Sequence, residues 1–269
     1  MDSNETITPP EETTNENGEL SHSDKMIGVF TEPVKMFSTT SKFPTRNKDW
    51  VIPVLILFLV AALIRILAMT NKEVYFDAKK QGIERIEKMV ENGTLTKEQG
   101  DEAINRIDQQ MEFMQGPVGW VITIATTLIF GFIVIFIIVG FYYLIIRFLL
   151  KGEGTYSSAL VANGLTMYIS TLQLIIAGIL TMLMGKMMTD TSLASFMSID
   201  KNTITGWLLA KVDPISIWAY IVLSIGFAKM FKSETTGKYY AMVFGSWLIV
   251  MFILFQLSQA VPFLQNFMQ

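Results

Sequence analysis

Residues Val118 to Ile146 read VGWVITIATTLIFGFIVIFIIVGFYYLII, twenty-nine positions without one charged side chain. At about 1.5 Å per residue, such a helix extends roughly 43 Å, more than the ~30 Å hydrocarbon core of a bilayer. A soluble core helix keeps a polar face, and this one has none. Hydrocarbon offers no partner for a bare amide, so a lone crossing segment must be helical. The run is therefore a membrane-crossing helix, tilted or reaching into the cytoplasm.

The rest of the chain repeats the pattern. Apolar residues make up 51% of the 269 positions, and the mean hydropathy is +0.42. Together with further long apolar runs, these values indicate a multi-span protein. The net charge of −3 leaves no basic excess for nucleic acid. With no cysteine and a single histidine, thiolate chemistry, a His-based triad and a multi-His metal site have no residues to stand on. The expectation is no catalytic, cofactor or metal site.

Outward from the central run, the N-terminal 1–24 is acidic and polar, without Lys or Arg. It is expected to be disordered, with His22 a solvated side chain. It has neither the basic nor the apolar region of a secretory signal. Residues 25–50 carry Lys25, Lys35, Lys42, Arg46 and Lys48 beside a short apolar face of Met26, Ile27, Val29, Phe30, Val34, Met36 and Phe37. This reads as a cytoplasmic juxtamembrane segment in the headgroup layer, either a topological anchor or a specific lipid contact.

A first span covers 51–69, with Pro53 in its first turn and Arg65 near its far end, where the side chain can snorkel. Residues 71–116 interrupt the apolar pattern with seven basic and ten acidic side chains. Apolar stripes at helical spacing, an Asn92-Gly93 stop and a Thr96-x-x-Gln99 capping box predict an extramembrane helical hairpin. After the second span, 118–146, Lys151-Gly-Glu-Gly-Thr-Tyr156 is a turn between spans rather than a phosphate loop, since no strand precedes it.

The third span, 157–185, is less apolar and holds Asn163, Gly164, Gln173 and Gly178. Small and amide side chains of this kind sit at helix contacts or line a pathway. Residues 186–212 form a polar connection whose Trp207 suits an interfacial helix. Asp213-Pro214 opens the fourth span, 214–231, as N-cap and first helical position. The fifth, 239–261, carries Ala241-x-x-x-Gly245 and ends near Gln256 and Gln259. The fold class is all-α: a polytopic membrane protein of five transmembrane helices over 51–262, with the 71–116 hairpin inserted. Four crossings would result from a re-entrant third segment. The Lys and Arg bias puts the N-terminus in the cytoplasm and the hairpin outside.

Five features in order carry a family likeness. They are Gly28–Phe37 (GVFTEPVKMF), Trp50-x-x-Pro53, Gly152-x-Gly-x-Tyr156, Asp213-Pro-Ile-Ser-Ile-Trp218 and Lys238. In these the chain resembles the Yip1 domain family, in particular its bacterial members, over about residues 26–262. The resemblance implies five helices with a cytoplasmic N-terminal region. Eukaryotic relatives act in vesicle trafficking and contact prenylated Rab GTPases. Their Asp-Leu-Tyr-Gly-Pro motif is absent here, which argues against a Rab-type partner. Some bacterial relatives accompany ABC-type exporters.

Two functions follow as expectations. The first is a non-enzymatic scaffold or accessory subunit in a bacterial cytoplasmic membrane, contacting the lipid bilayer and an exporter subunit or a second copy of itself. The second is a transporter or lipid-handling protein. In the second reading Arg65, Asn163, Gln173, Gln256 and Gln259 serve a pathway, and Gly164 and Gly178 set the helix contacts.

Overall fold

The computed structural model describes residues 18–260. Two short helices, α1 (His22–Thr31) and α2 (Pro33–Thr40), precede the long α3 (Lys48–Thr70). Asn71 ends α3 and caps α4 (Lys72–Glu91), its side chain accepting from the Glu73 and Val74 amides. Gly93, at φ +75°, turns the chain back. The Thr96 hydroxyl and Gln99 side chain then exchange hydrogen bonds with each other's backbone amides to start α5 (Lys97–Gln115). Gly116 links α5 to α6 (Pro117–Leu144), which ends in a π-helical turn, Ile145–Leu149. The hairpin α4–α5 is therefore a continuation of two membrane helices, with one residue at each joint.

The last part comprises α7 (Tyr156–Met184), the four-residue α8 (Leu193–Phe196), α9 (Ile204–Ala210), α10 (Pro214–Met230) and α11 (Gly237–Ala260). Four helices are each long and apolar enough to cross a membrane: α3, α6 with its π turn, α7 and α11. A fifth crossing takes α9 and α10 together, bent by 58°. By itself α10 has 17 residues, about 25 Å. The polar third segment is one unbroken 29-residue helix, not a re-entrant loop.

At the centre stands α7. Gly164 meets Trp50, and Gly178 meets Ile64. The contacts advance by fourteen residues on both helices, so α3 and α7 run parallel. On another side α10 runs antiparallel to α7, with Gln173 bonded to Asp213, Ala162 beside Gly226, and Gly154 against Phe231. From α6, the Phe132 ring stands 5.6 Å from Phe58 and the Tyr142 ring 5.2 Å from Phe227. Along α6 the outward face is apolar, as at Val121, Ile129, Phe130 and Ile137. Such a face suits lipid and not water.

The N-terminal segment sends part of its apolar face into the bundle. Val29, Met36 and Phe37 are buried. Phe37 sits against Gly226 and Ala162, while the Phe30 ring lies 5.8 Å from Trp218. Thus α1 and α2 pack onto the bundle through Val29, Phe30, Met36 and Phe37, while Met26, Ile27 and Val34 of the same segment stay exposed. Residues 21–24 depart from the expected disorder of 1–24, because Ser21 and Asp24 build a capping box at the start of α1. The remainder of that tail, residues 1–17, lies outside the described residues.

Candidate functional site

Where α1 meets α3 and α7, six polar side chains gather. Asp49, in the first turn of α3, is 1% exposed, and Lys25 on α1 is 2% exposed. The Lys25 Nζ lies 2.6 Å from Asp49 Oδ2 and 3.7 Å from Glu19 Oε1. Glu19 also pairs with Arg46. The other Asp49 oxygen is 2.9 Å from His22 Nδ1, and His22 Nε2 is 2.8 Å from the Tyr168 hydroxyl. A carboxylate only accepts, so the Asp49 contact puts a proton on Nδ1. In the neutral ring Nε2 then accepts from Tyr168. The result is a continuous chain of hydrogen bonds from α7 to α1.

Burial gives the cluster its interest. Tyr168 lies twelve residues along α7 from Tyr156, about 18 Å into a helix of about 43 Å. Buried charges such as Asp49 and Lys25 cost several kcal/mol each unless paired and hydrogen-bonded. Every ionised group here has a partner. The arrangement fastens the N-terminal helix to the middle of the central span. Chemically it is able to hold a proton and polarise the Tyr168 hydroxyl.

A second cluster lies further along α7, five residues beyond Tyr168. Gln173 Nε2 donates to Asp213 Oδ2 (2.7 Å) and Ser216 Oγ (2.8 Å). Asp213 also accepts from the Thr191 amide and hydroxyl and from the Ile215 and Ser216 amides. This is an N-cap of α10 extended to tie down the α7–α9 connection. Nearby, the Asp190 carboxylate receives Ser192, Ser195 and Lys201 at 2.5–2.7 Å. Burial alone pushes its carboxyl up, but Lys201 and the two hydroxyls outweigh burial and hold it at about 2, below the ordinary 3.8. A depressed carboxyl stabilises the folded loop above its unfolded value, and that stabilisation disappears as pH falls through the folded one. Hydrogen exchange over residues 186–203 should therefore show protection intact at pH 5 and lost as pH approaches 2. Lys201→Gln should move the loss to higher pH, and equal protection at both ends would contradict the account.

The residues singled out from sequence do not form one site. Gly164 and Gly178 pack against α3. Gln173 belongs to the α10 cap, and Gln259 Nε2 ties α11 to the Asn202 carbonyl at 2.9 Å. Arg65 and Gln256 are exposed on the outer surface of the bundle. Asn163 is buried, and its Oδ1 has no partner among the described residues. The cluster around Asp49 was not legible as a site. Its one sequence signal is an acid between Lys48 and Trp50 at the head of a span, and His22 is half-buried and bonded on both nitrogens rather than solvated.

With this geometry in hand, comparison with protein families is informative. The Yip1 domain matches residues 27–257, from within α1 to within α11. The chain belongs to the Yip1 domain family. It is accordingly a multi-pass transmembrane protein, and the Yip1 domain spans all of its helical body but the first turns of α1 and the end of α11. Asp49 and Tyr168 fall inside the matched part, whereas His22 and Lys25 precede it. Neither the comparison with curated proteins nor that with solved structures returned a match.

Proposed function

We propose that this Yip1-domain protein is a non-enzymatic scaffold or accessory subunit that holds another membrane protein, an exporter subunit or a second copy of itself. We place it in a bacterial cytoplasmic membrane, with the N-terminus inside and the α4–α5 hairpin outside. The supporting observation is the hairpin's attachment. Each of its helices runs on from a membrane helix through a single residue, Asn71 or Gly116. A contact made outside is therefore coupled directly to the bundle. The hairpin also presents apolar surface to a partner: Phe76 and Phe113 are exposed, and Phe76, Ile83, Lys79, Lys80, Glu84 and Glu87 line a groove of about 370 Å³.

Two of the polar groups that favoured a transporter, Gln173 and Gln259, are engaged elsewhere. Gln173 is committed to a helix cap and Arg65 faces away from the bundle interior. A photo-crosslinker at Phe76 or Ile83 in native membranes should trap one discrete product, and the same probe at Ile129 on the lipid face should not. Trimming the hairpin to a short loop should remove the product while the chain still inserts. A probe that yields only uncrosslinked protein at both hairpin positions would sink the scaffold reading.

A further inference from the structure

One end of the bundle is closed by two turns. The first runs from the π-helical turn Ile145–Leu149 to Thr155, and the second from Phe231 to Gly237. They are clamped together. The Glu153 amide donates to the Phe231 carbonyl (3.4 Å) and Lys238 Nζ to the Leu150 carbonyl (3.2 Å). The Phe231 ring fills the space left by Gly152 and Gly154, where an added Cβ would come within 2.9 Å and 2.7 Å of it. Arg147 donates to the Gly152 carbonyl at 3.2 Å.

Four cations thus crowd two adjoining turns: Arg147, Lys151, Lys232 and Lys238. Among the described residues, none is ion-paired with a carboxylate. The acids within these turns are Glu153 and Glu234, both exposed. Lys151 and Lys232 sit at φ +54° and +55°, a left-handed conformation that is unfavourable for a residue with a Cβ. Both are exposed. The α7 and α11 N-termini, the positive ends of their dipoles, open at this same end.

Beside the cations lie Phe148 and Leu149, 76% and 74% exposed. They belong to the π turn, a wide turn that shifts the helical register and recurs at functional sites. A soluble anion has no use for these apolar side chains, and an acyl chain has no use for lysines. Setting membrane topology requires charges in the flanking segments, but neither left-handed lysines nor a clamp between turns.

We propose that the two turns form a binding site for an anionic phospholipid. Its phosphate meets Arg147, Lys151, Lys232 and Lys238, and its acyl chains lie along Phe148 and Leu149. The test uses the full chain in detergent, loaded with equal phosphatidylglycerol and phosphatidylcholine and weighed intact by native mass spectrometry. Wild type should retain phosphatidylglycerol about tenfold over phosphatidylcholine, in line with a few surface lysines acting together. The variant Lys151→Gly/Lys232→Gly removes two charges and the left-handed strain at once. It should melt no lower than wild type, followed by tryptophan fluorescence, yet lose most of that preference. Lys88→Gln/Lys97→Gln in the hairpin should keep it. Equal retention of both lipids by wild type, or an undiminished preference in the glycine variant, would overturn the site. Displacement by millimolar glycerol 3-phosphate would also overturn it, by showing that a soluble anion suffices.

Discussion

Gly164→Ala is expected to destabilise the bundle by about 3 kcal/mol and to lower the melting temperature by roughly 10 °C. The new Cβ would lie 2.5 Å from the Trp50 Cα and 2.6 Å from its Cβ. Neither is the loose end of a flexible side chain, so the α3 and α7 backbones must part. Separation there propagates, because the same pair of helices meets again at Gly178 and Ile64. At Gly178 the obstacle is the Ile64 side chain, which can change rotamer, so Gly178→Ala should cost less. Gly245→Ala on α11 is the control: nothing lies within 4 Å of its added Cβ. Alanine is also the better helix former by about 1 kcal/mol, so this variant should hold or gain stability. The five tryptophans report the melting without labels, and the absence of cysteine precludes thiol-reactive dyes. Equal melting temperatures for the Gly164 and Gly245 variants would refute the close-packed crossing.

Asp49→Leu is expected to cost about 3–5 kcal/mol, the usual result of removing one partner of a buried charge pair. Lys25 would keep only Glu19, 3.7 Å away, and His22 Nδ1 would lose its acceptor. The loss should be local first, with α1 released from α7 and Lys25 opened to trypsin before the spans unfold. The double variant Lys25→Met/Asp49→Leu should recover much of the stability, since an apolar pair carries no desolvation penalty. A single variant as stable and as trypsin-resistant as wild type would mean the cluster does not fasten the N-terminal helices.

The two effects differ in how far the sequence foretold them. Gly164 and Gly178 are small residues at helical spacing in a polar span, and contact with a neighbouring helix follows from that alone. Which helix they contact does not. The hairpin was legible because its determinants are local: the Gly93 turn and the Thr96–Gln99 box act within four residues. The Asp49 cluster has no local signature. His22 and Tyr168 are separated by 146 positions, and a histidine in an acidic stretch reads as solvated until its partners are known. The basic, amphipathic look of residues 25–50 left the burial of Lys25 unforeseen for a related reason. Lys25 is not a surface charge, because its partner Asp49 is buried with it. Half of the apolar face of α1 and α2, Val29, Phe30, Met36 and Phe37, packs on α7 and α10, while Met26, Ile27 and Val34 stay exposed.

The sequence by itself determined that this chain is an all-helical membrane protein with an extramembrane hairpin. Hydrocarbon admits no unpaired backbone, so long uncharged runs have one solution, and caps and turns act between near neighbours. Only the tertiary structure decided which helices touch, that α1 and α2 complete the bundle, and that a paired charge cluster lies beside the middle of α7. Lateral helix packing and the neutralisation of buried charge depend on groups far apart in the chain, whose meeting no local pattern encodes.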